Sequence, residues 1–395
     1  MSAPLLTRLS TERRASAGLA LLAVVVVFIW TAARIHYVFG DNWTALFYNS
    51  TMFALPSELE EGTYKFEASG YDGQFYRFLA HDPFLLKGYD RYADAPQLRF
   101  RRLLVPLSAW MLGLGQRYWI DPAYFAVEML CLGLGVYWCA RLLARRGRSA
   151  WWGLLFVVVP ATLASFDRML VDGPLTALFA GFLLYCEEER WTRVWLIAML
   201  AALTRETGLI LCAALAVDSL SKHDWRRGAW FALSSTPAAG WYLYLAAKLA
   251  PDRPVDVYAT PIWSIFQRLM VLRTYPDPNV QLLLRVTDIL AVLGLALSVV
   301  LAVWWIVRRG AGPVTISVGL FAALALVLGA PNHLIEAFGF GRPVSPLLLW
   351  VMIEAVSQDK WLGLMPPLAV SLSVSLTFAS PLVTVVKGLL GLPKV

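Results

Sequence analysis

Charge is what this sequence has least of: 15% of its 395 residues are Asp, Glu, Lys or Arg, against roughly 25% in a soluble domain. With 58% hydrophobic residues and a mean hydropathy of +0.60, that shortage excludes a water-soluble globular chain and implies an integral membrane protein. Cysteine is scarce as well. Cys131, Cys139, Cys186 and Cys212 all fall in apolar segments, which argues against a disulfide framework or a zinc site. There is no Walker A loop, no G-x-G-x-x-G after a strand and no G-x-S-x-G. No metal-ligand spacing such as H-E-x-x-H occurs, so no metal is assigned and divalent-metal dependence stays open. The formal charge of +7 is split into short basic clusters between apolar runs, a pattern that orients a membrane protein and gives no reason to expect nucleic-acid binding.

What is present is apolar sequence in long runs, near 16–39, 121–140, 150–166, 174–186, 193–204, 207–218, 228–250, 281–307, 313–330, 343–357 and 361–380. They predict an all-α, polytopic fold of about 11 transmembrane helices, a single membrane domain over residues 1–395. The first run follows Arg8, Arg13 and Arg14, as a cleavable signal would. It outruns the roughly 7–15 apolar residues of a signal core and lacks a clear cleavage site, so we read it as a retained span. Every second connection is short and basic: Arg8/Arg13/Arg14, Arg141/Arg145/Arg146/Arg148, Arg190/Arg193, Lys222/Arg226/Arg227, Arg308/Arg309 and Lys360. The positive-inside rule puts these, and the N-terminus, in the cytoplasm.

The other face then receives a large first loop, 40–105, with short amphipathic helices, the stretch "FDRMLVDGP" at 166–174, the "TRETG" turn at 204–208, a second loop at 250–280, and "APNHLIEAFGFGRP" at 330–343. These loops mix carboxylates, histidines and arginines, so the chemistry is expected on that face. "LLVPLSAWMLGLG" at 103–115 is too short to cross and is read as interfacial or re-entrant. Arg205-Glu206 is read as the sunken tip of a broken hairpin, tolerable only beside protein or a water-filled cavity.

In the first loop, "SGYDGQFYRFLAHDP" predicts a short helix ending before Pro83, with Phe75, Tyr76, Phe78 and Leu79 along one side. Asp72 opens it, either as an N-cap accepting backbone N–H bonds or as a general base among aromatics that lower the local dielectric. Asp41, in "FGDNW", is the second carboxylate, either catalytic or merely ending the first helix. Tyr71, Gln74, Tyr76, His81, Asp82, His333 and Glu336 are candidates for positioning a substrate. Asp167 and Asp172 would bind hydroxyls or a metal, or would pair with Arg205, as Glu206 also would.

"YDGQFYRFLA", "KGYD" and "RFRRLLVPLSAW" resemble, in order and spacing, the first outer loop of GT-C glycosyltransferases of the PIG-V-like GPI mannosyltransferase type and related bacterial membrane proteins. The resemblance covers about residues 15–210, through "LTRETG", and continues as topology and "GRPVSPLLL". Tyr71 stands where that branch often has tryptophan, and the paired acidic motif after the first span is missing. The resemblance implies an inverting transfer of sugar from a polyprenyl-phosphate donor to a lipid or glycan hydroxyl, Asp72 or Asp41 acting as base. It also implies arginines on the donor phosphate, for which planar guanidinium forks are suited: Arg101, Arg102, Arg205, Arg268, Arg273 and Arg342. The alternative for those on loops is anchoring at lipid headgroups. A bacterial cytoplasmic membrane is the expected location. A transporter or lipid flippase, or a non-catalytic partner of GT-C shape, would share the topology; a transporter should also show internal repeats, and none is evident.

Overall fold

The computed structural model describes residues 3–67, 70–252, 269–270, 278–328 and 337–392. Arg268, Arg273, His333 and Glu336 lie outside these residues, as does most of the expected loop 250–280. In chain order the helices are α1 (Ala3–Phe39), α2 (Ser57–Glu60), α3 (Asp72–His81), α4 (Pro96–Phe100), α5 (Leu104–Leu112), α6 (Arg117–Arg145), α7 (Leu155–Val158), α8 (Pro160–Arg168), α9 (Asp172–Glu187) and α10 (Trp191–Thr204). They continue as α11 (Leu209–Ser221), α12 (Trp225–Ala232), α13 (Thr236–Lys248), α14 (Pro278–Arg309), α15 (Pro313–Val327), α16 (Ala337–Gly341), α17 (Ser345–Ser357), α18 (Met365–Ser375) and α19 (Ala379–Leu389). Among the described residues the only sheet pairs β1 (Asn49–Ser50) in parallel with β2 (Lys65–Phe66). The all-α expectation holds.

Each apolar run falls on helical segments, but few are long. Glu12–Phe39, Arg117–Arg145, Val280–Arg309 and Trp361–Leu389 are long and apolar enough to cross a membrane, and Ala150–Val158 with Pro160–Arg168 makes a fifth if the bent pair counts as one span. The others are shorter than the roughly 20 residues a crossing takes: α10 has 14, α15 has 15 and α17 has 13. For α9 and α17 the reason is visible in their burial. Ser345 through Val356 of α17 and Asp172 through Leu184 of α9 are buried without a break, and a helix enclosed by protein is apolar all round whether or not it meets lipid.

Two local devices place the site. Pro160 opens α8 after Val159, whose extended backbone (φ −64°, ψ 137°) is what a following proline favours. The resulting 57° bend turns the end of α8, with Asp167 and Arg168, toward the start of α9. The second device is Arg205, whose extended backbone (φ −159°, ψ 151°) stops α10. A Cβ on Gly208 would lie 1.9 Å from the Ala201 carbonyl oxygen, so only glycine lets the tip fold back on α10.

The first loop departs from a surface arrangement. α3 ends at His81, as the proline predicts, yet Gly73 through His81 are all buried. Phe75, Phe78 and Leu79 join Leu55, Leu59, Tyr89, Phe100, Leu245 and Leu249 in a satellite core, while Tyr76 and Ala80 join the main one. The helix is therefore wedged between two cores. Its N-terminus packs so closely on α8 that a Cβ on Gly73 would come within 2.1 Å of the Arg168 carbonyl oxygen.

Candidate functional site

Asp72 is the first helical residue of α3, with Tyr71 in the cap position. Its carboxylate meets side chains brought from elsewhere, Arg99 Nη1 at 2.9 Å, Arg102 Nη1 at 3.5 Å and Arg342 Nη1 at 3.7 Å, and the Tyr76 hydroxyl of α3 itself at 3.5 Å. It thus acts as an ion-pair partner rather than as the backbone cap that the sequence also allowed.

Following those arginines closes a circuit. Arg342 also approaches Asp172 at 3.5 Å; Asp172 pairs with Arg205; Arg205 Nε lies 3.5 Å from Glu206; Glu206 accepts from Arg102 at 2.9 Å and 3.2 Å. Arg102 returns to Asp72 and donates to the Tyr76 hydroxyl. The result is a ring of alternating charge, Asp72, Arg342, Asp172, Arg205, Glu206, Arg102, in which each arginine bridges two carboxylates. Its members come from the start of α3, the segment after α4, the start of α9, the tip after α10 and the segment after α16.

The ring is mostly enclosed. The Asp172 side chain is 1% exposed, Arg102 5%, and Glu206, the most open, 26%. Burial by itself raises the proton affinity of the Asp72 carboxyl, but the charges of Arg99, Arg342, Arg102 and Arg205 together overcome it and hold the group well below the usual carboxylate range. In this state the cations outweigh the low dielectric that the surrounding aromatics provide. Glu206 is likewise lowered to about 2, burial being outweighed by Arg102 and Arg205. Arg205 is drawn down to about 10 by burial and by Arg102, so it remains a cation at neutral pH.

An aromatic shelf flanks the ring. The Tyr71 ring lies between two guanidiniums, Arg168 at 4.3 Å and Arg342 at 4.7 Å. Arg168 also faces Tyr48 at 4.6 Å and Phe338 at 4.1 Å, distances at which cation–π attraction operates. Asp167 is held there too, by Arg34 of α1 at 2.7 Å and Arg168 at 3.0 Å, and so does not join Asp172 in the ring.

Of the residues singled out in the sequence, the structure brings Asp72, Tyr71, Tyr76, Arg102, Asp172, Arg205, Glu206 and Arg342 together. Others stand apart. Asp41 lies just past α1 with its side chain 72% exposed, paired to His36 at 2.9 Å, while its N–H donates to the Ile35 carbonyl and finishes the helix. His81 and Arg77 both grip Asp121, at 3.0 Å and 2.8 Å. Asp82 accepts from the N–H groups of Leu86, Lys87 and Tyr89, which makes it the organiser of a turn rather than a substrate ligand. Gln74 accepts from Ser50 N–H at 3.1 Å, and Arg101 lies over Tyr242 at 5.4 Å. The headgroup-anchor alternative does not describe Arg102, which is buried in the ring.

Arg99 and Arg168 went unselected in the sequence. Arg99 sits one turn before Arg102, at i and i+3, a spacing that lets both reach one acceptor. Arg168 carried no such signal. Among the described residues no three His, Cys, Asp or Glu side chains gather as a metal site.

The arrangement can bind an anion through convergent guanidiniums, seat a ring-shaped or prenyl group on the aromatic shelf, and present one carboxylate beside both. No protein-family model, curated protein or solved structure matches the chain.

Proposed function

We propose that this chain is a membrane glycosyltransferase that moves a sugar from a polyprenyl-phosphate donor to an acceptor hydroxyl. The observation that carries the reading is the convergence of Asp72 with Arg99, Arg102, Arg205 and Arg342 beside Tyr71 and Tyr76. A sugar leaving a lipid phosphate transfers negative charge to that phosphate, and fixed guanidiniums stabilise the charge as it develops. The balanced step is an inverting displacement. The acceptor oxygen attacks the anomeric carbon, its proton passes to a carboxylate oxygen of Asp72, and the bond from that carbon to the phosphate oxygen breaks with its electron pair going to the phosphate.

In this reading the ring end of the bundle faces away from the cytoplasm of a bacterial cell, and the basic connections face in. α9 carries Asp172 at one end and Glu187 at the other, about 24 Å apart over 16 residues, which supports the separation of faces. The shorter helices complete the eleven crossings in contact with neighbouring helices, where short and irregular segments are tolerated.

The test is transfer of radiolabelled sugar from a panel of polyprenyl-phosphate sugars by the purified full chain in detergent. Wild type should transfer from at least one donor, and Asp72→Asn should lose about 10²–10⁴-fold in rate, the usual worth of a general base. A folded wild type that transfers from none removes the reading and leaves the transporter or the non-catalytic partner.

A further inference from the structure

We propose that the ring's carboxylates are built-in competitors for a phosphate: the anion enters by taking Arg342 from Asp72 and Asp172, and Asp72 becomes a base only after that exchange. The role given to the freed Asp72 rests on the transferase reading; the exchange itself does not.

The geometry shows where the ring opens. Its joints are unequal. Arg102 holds Glu206 through two hydrogen bonds of 2.9 Å and 3.2 Å, and Arg205 lies against Asp172. The other joints of these two arginines are long, 3.5 Å from Arg102 to Asp72 and 3.5 Å from Arg205 to Glu206, but Arg342 alone has no close joint: it reaches its two carboxylates at 3.7 Å and 3.5 Å, past the roughly 2.7–2.9 Å of a strong charge-assisted hydrogen bond. Arg342 also has supports that need no carboxylate: its Nε donates to the Phe338 carbonyl at 3.0 Å and its guanidinium lies 4.7 Å from the Tyr71 centroid. Exchanging a carboxylate for a phosphate would leave this side chain in place.

Asp72 is the carboxylate that such an exchange frees most. Both of its ring contacts are long, 3.5 Å to Arg102 and 3.7 Å to Arg342. Its one short contact, 2.9 Å to Arg99, is to an arginine that also holds Asp94 at 2.8 Å. The remaining neighbour is the Tyr76 hydroxyl, on α3 itself. A carboxylate facing three guanidiniums has little appetite for a proton. Drawing Arg342 toward a phosphate, and adding that phosphate's own negative charge, raises the proton affinity of Asp72 from both directions. Binding of the leaving group would thus switch on the base.

The test is isothermal titration of the full chain in detergent with inorganic phosphate and, separately, with farnesyl phosphate. The variants are Asp72→Asn, Asp172→Asn and Arg342→Gln, each checked for a wild-type melting profile. Removing a competing carboxylate should tighten phosphate binding about tenfold in either carboxamide variant, and Arg342→Gln should weaken it by at least about as much, the size of a contact to a charged group. Tighter binding of farnesyl phosphate than of inorganic phosphate assigns the site to a lipid-linked phosphate; equal binding assigns it to a free one. Should Asp72→Asn not fold, Asp172→Asn decides alone. Carboxamide variants that bind phosphate no better than wild type overturn the exchange. Sugar transfer by wild type with no such tightening removes the exchange and leaves the transferase; tightening without transfer does the reverse.

Discussion

The two ends of the bundle both carry buried arginine–carboxylate arrays, and they are put together differently. At the end opposite the ring, Glu354 of α17 is fully buried and clamped by Arg146 at 2.9 Å and Arg309 at 2.6 Å. Around it Arg146 reaches Glu187, Arg148 reaches Asp359, and Arg141 reaches Glu188. Those contacts tie the ends of α6, α9, α14 and α17 to one another. Short contacts between helix ends staple a bundle. The ring instead joins loop tips, leaves its Arg342 corner loose and lies against aromatic faces. On the exchange proposed above, the same ingredients serve cohesion at one end and binding at the other.

Glu354→Gln is the variant expected to do most damage. Removing one partner from a buried cluster costs about 3–5 kcal/mol because the remaining charges are left uncompensated. A thermal melt should show a large drop, with phosphate affinity of the surviving folded protein unchanged; a drop in affinity would erase the contrast between the ends. Gly73→Ala should cost about 1–3 kcal/mol by overpacking and should impair the ring, because the new methyl group meets the Arg168 carbonyl and pushes α3 off α8. The readout is phosphate affinity alongside the melt, and wild-type values for both would show that the close approach is dispensable.

Acidification is a milder perturbation with a definite sign. Asp72 and Glu206 both have folded-state proton affinities below their unfolded values. Each therefore contributes stability that is present above roughly pH 4–5 and is lost as pH falls toward about 2 and below. Melting temperature measured from pH 6 down to pH 3 should fall, and Asp72→Asn should flatten that slope. Asp41→Asn should do least, within about 0.5 kcal/mol as for exposed sites generally, with transfer near wild type. Loss of transfer at this position would move the base to the end of α1 and undo the assignment to the ring.

Much of the ring was legible because unusual residues stood beside apolar runs: Arg205-Glu206 in a hairpin tip, Arg342 before α17, Asp172 at the start of α9. An ionisable group in such a place needs a partner, and the sequence offered few. The pairings were not legible, since Asp72 and Arg342 lie far apart in the chain and meet only in the folded bundle. His81 and Asp82 stand apart from the ring with partners of their own. Arg77 and His81 share a face of α3 at i and i+4, which suits a common acceptor such as Asp121, and Asp82 before Pro83 is ordinary turn chemistry. Span number was the least legible, because a helix enclosed by protein, such as α17, and a lipid-facing helix look alike in hydropathy.

The Tyr71 ring, wedged between Arg168 and Arg342, has a consequence for how the site is anchored. Arg168 holds Asp167, and Asp167 holds Arg34 near the end of α1. Arg342, Tyr71, Arg168, Asp167 and Arg34 therefore form one unbroken line of contacts from the ring to α1. The aromatic shelf is thereby tied to a helix long and apolar enough to cross a membrane, so its place is set by α1 as well as by α3.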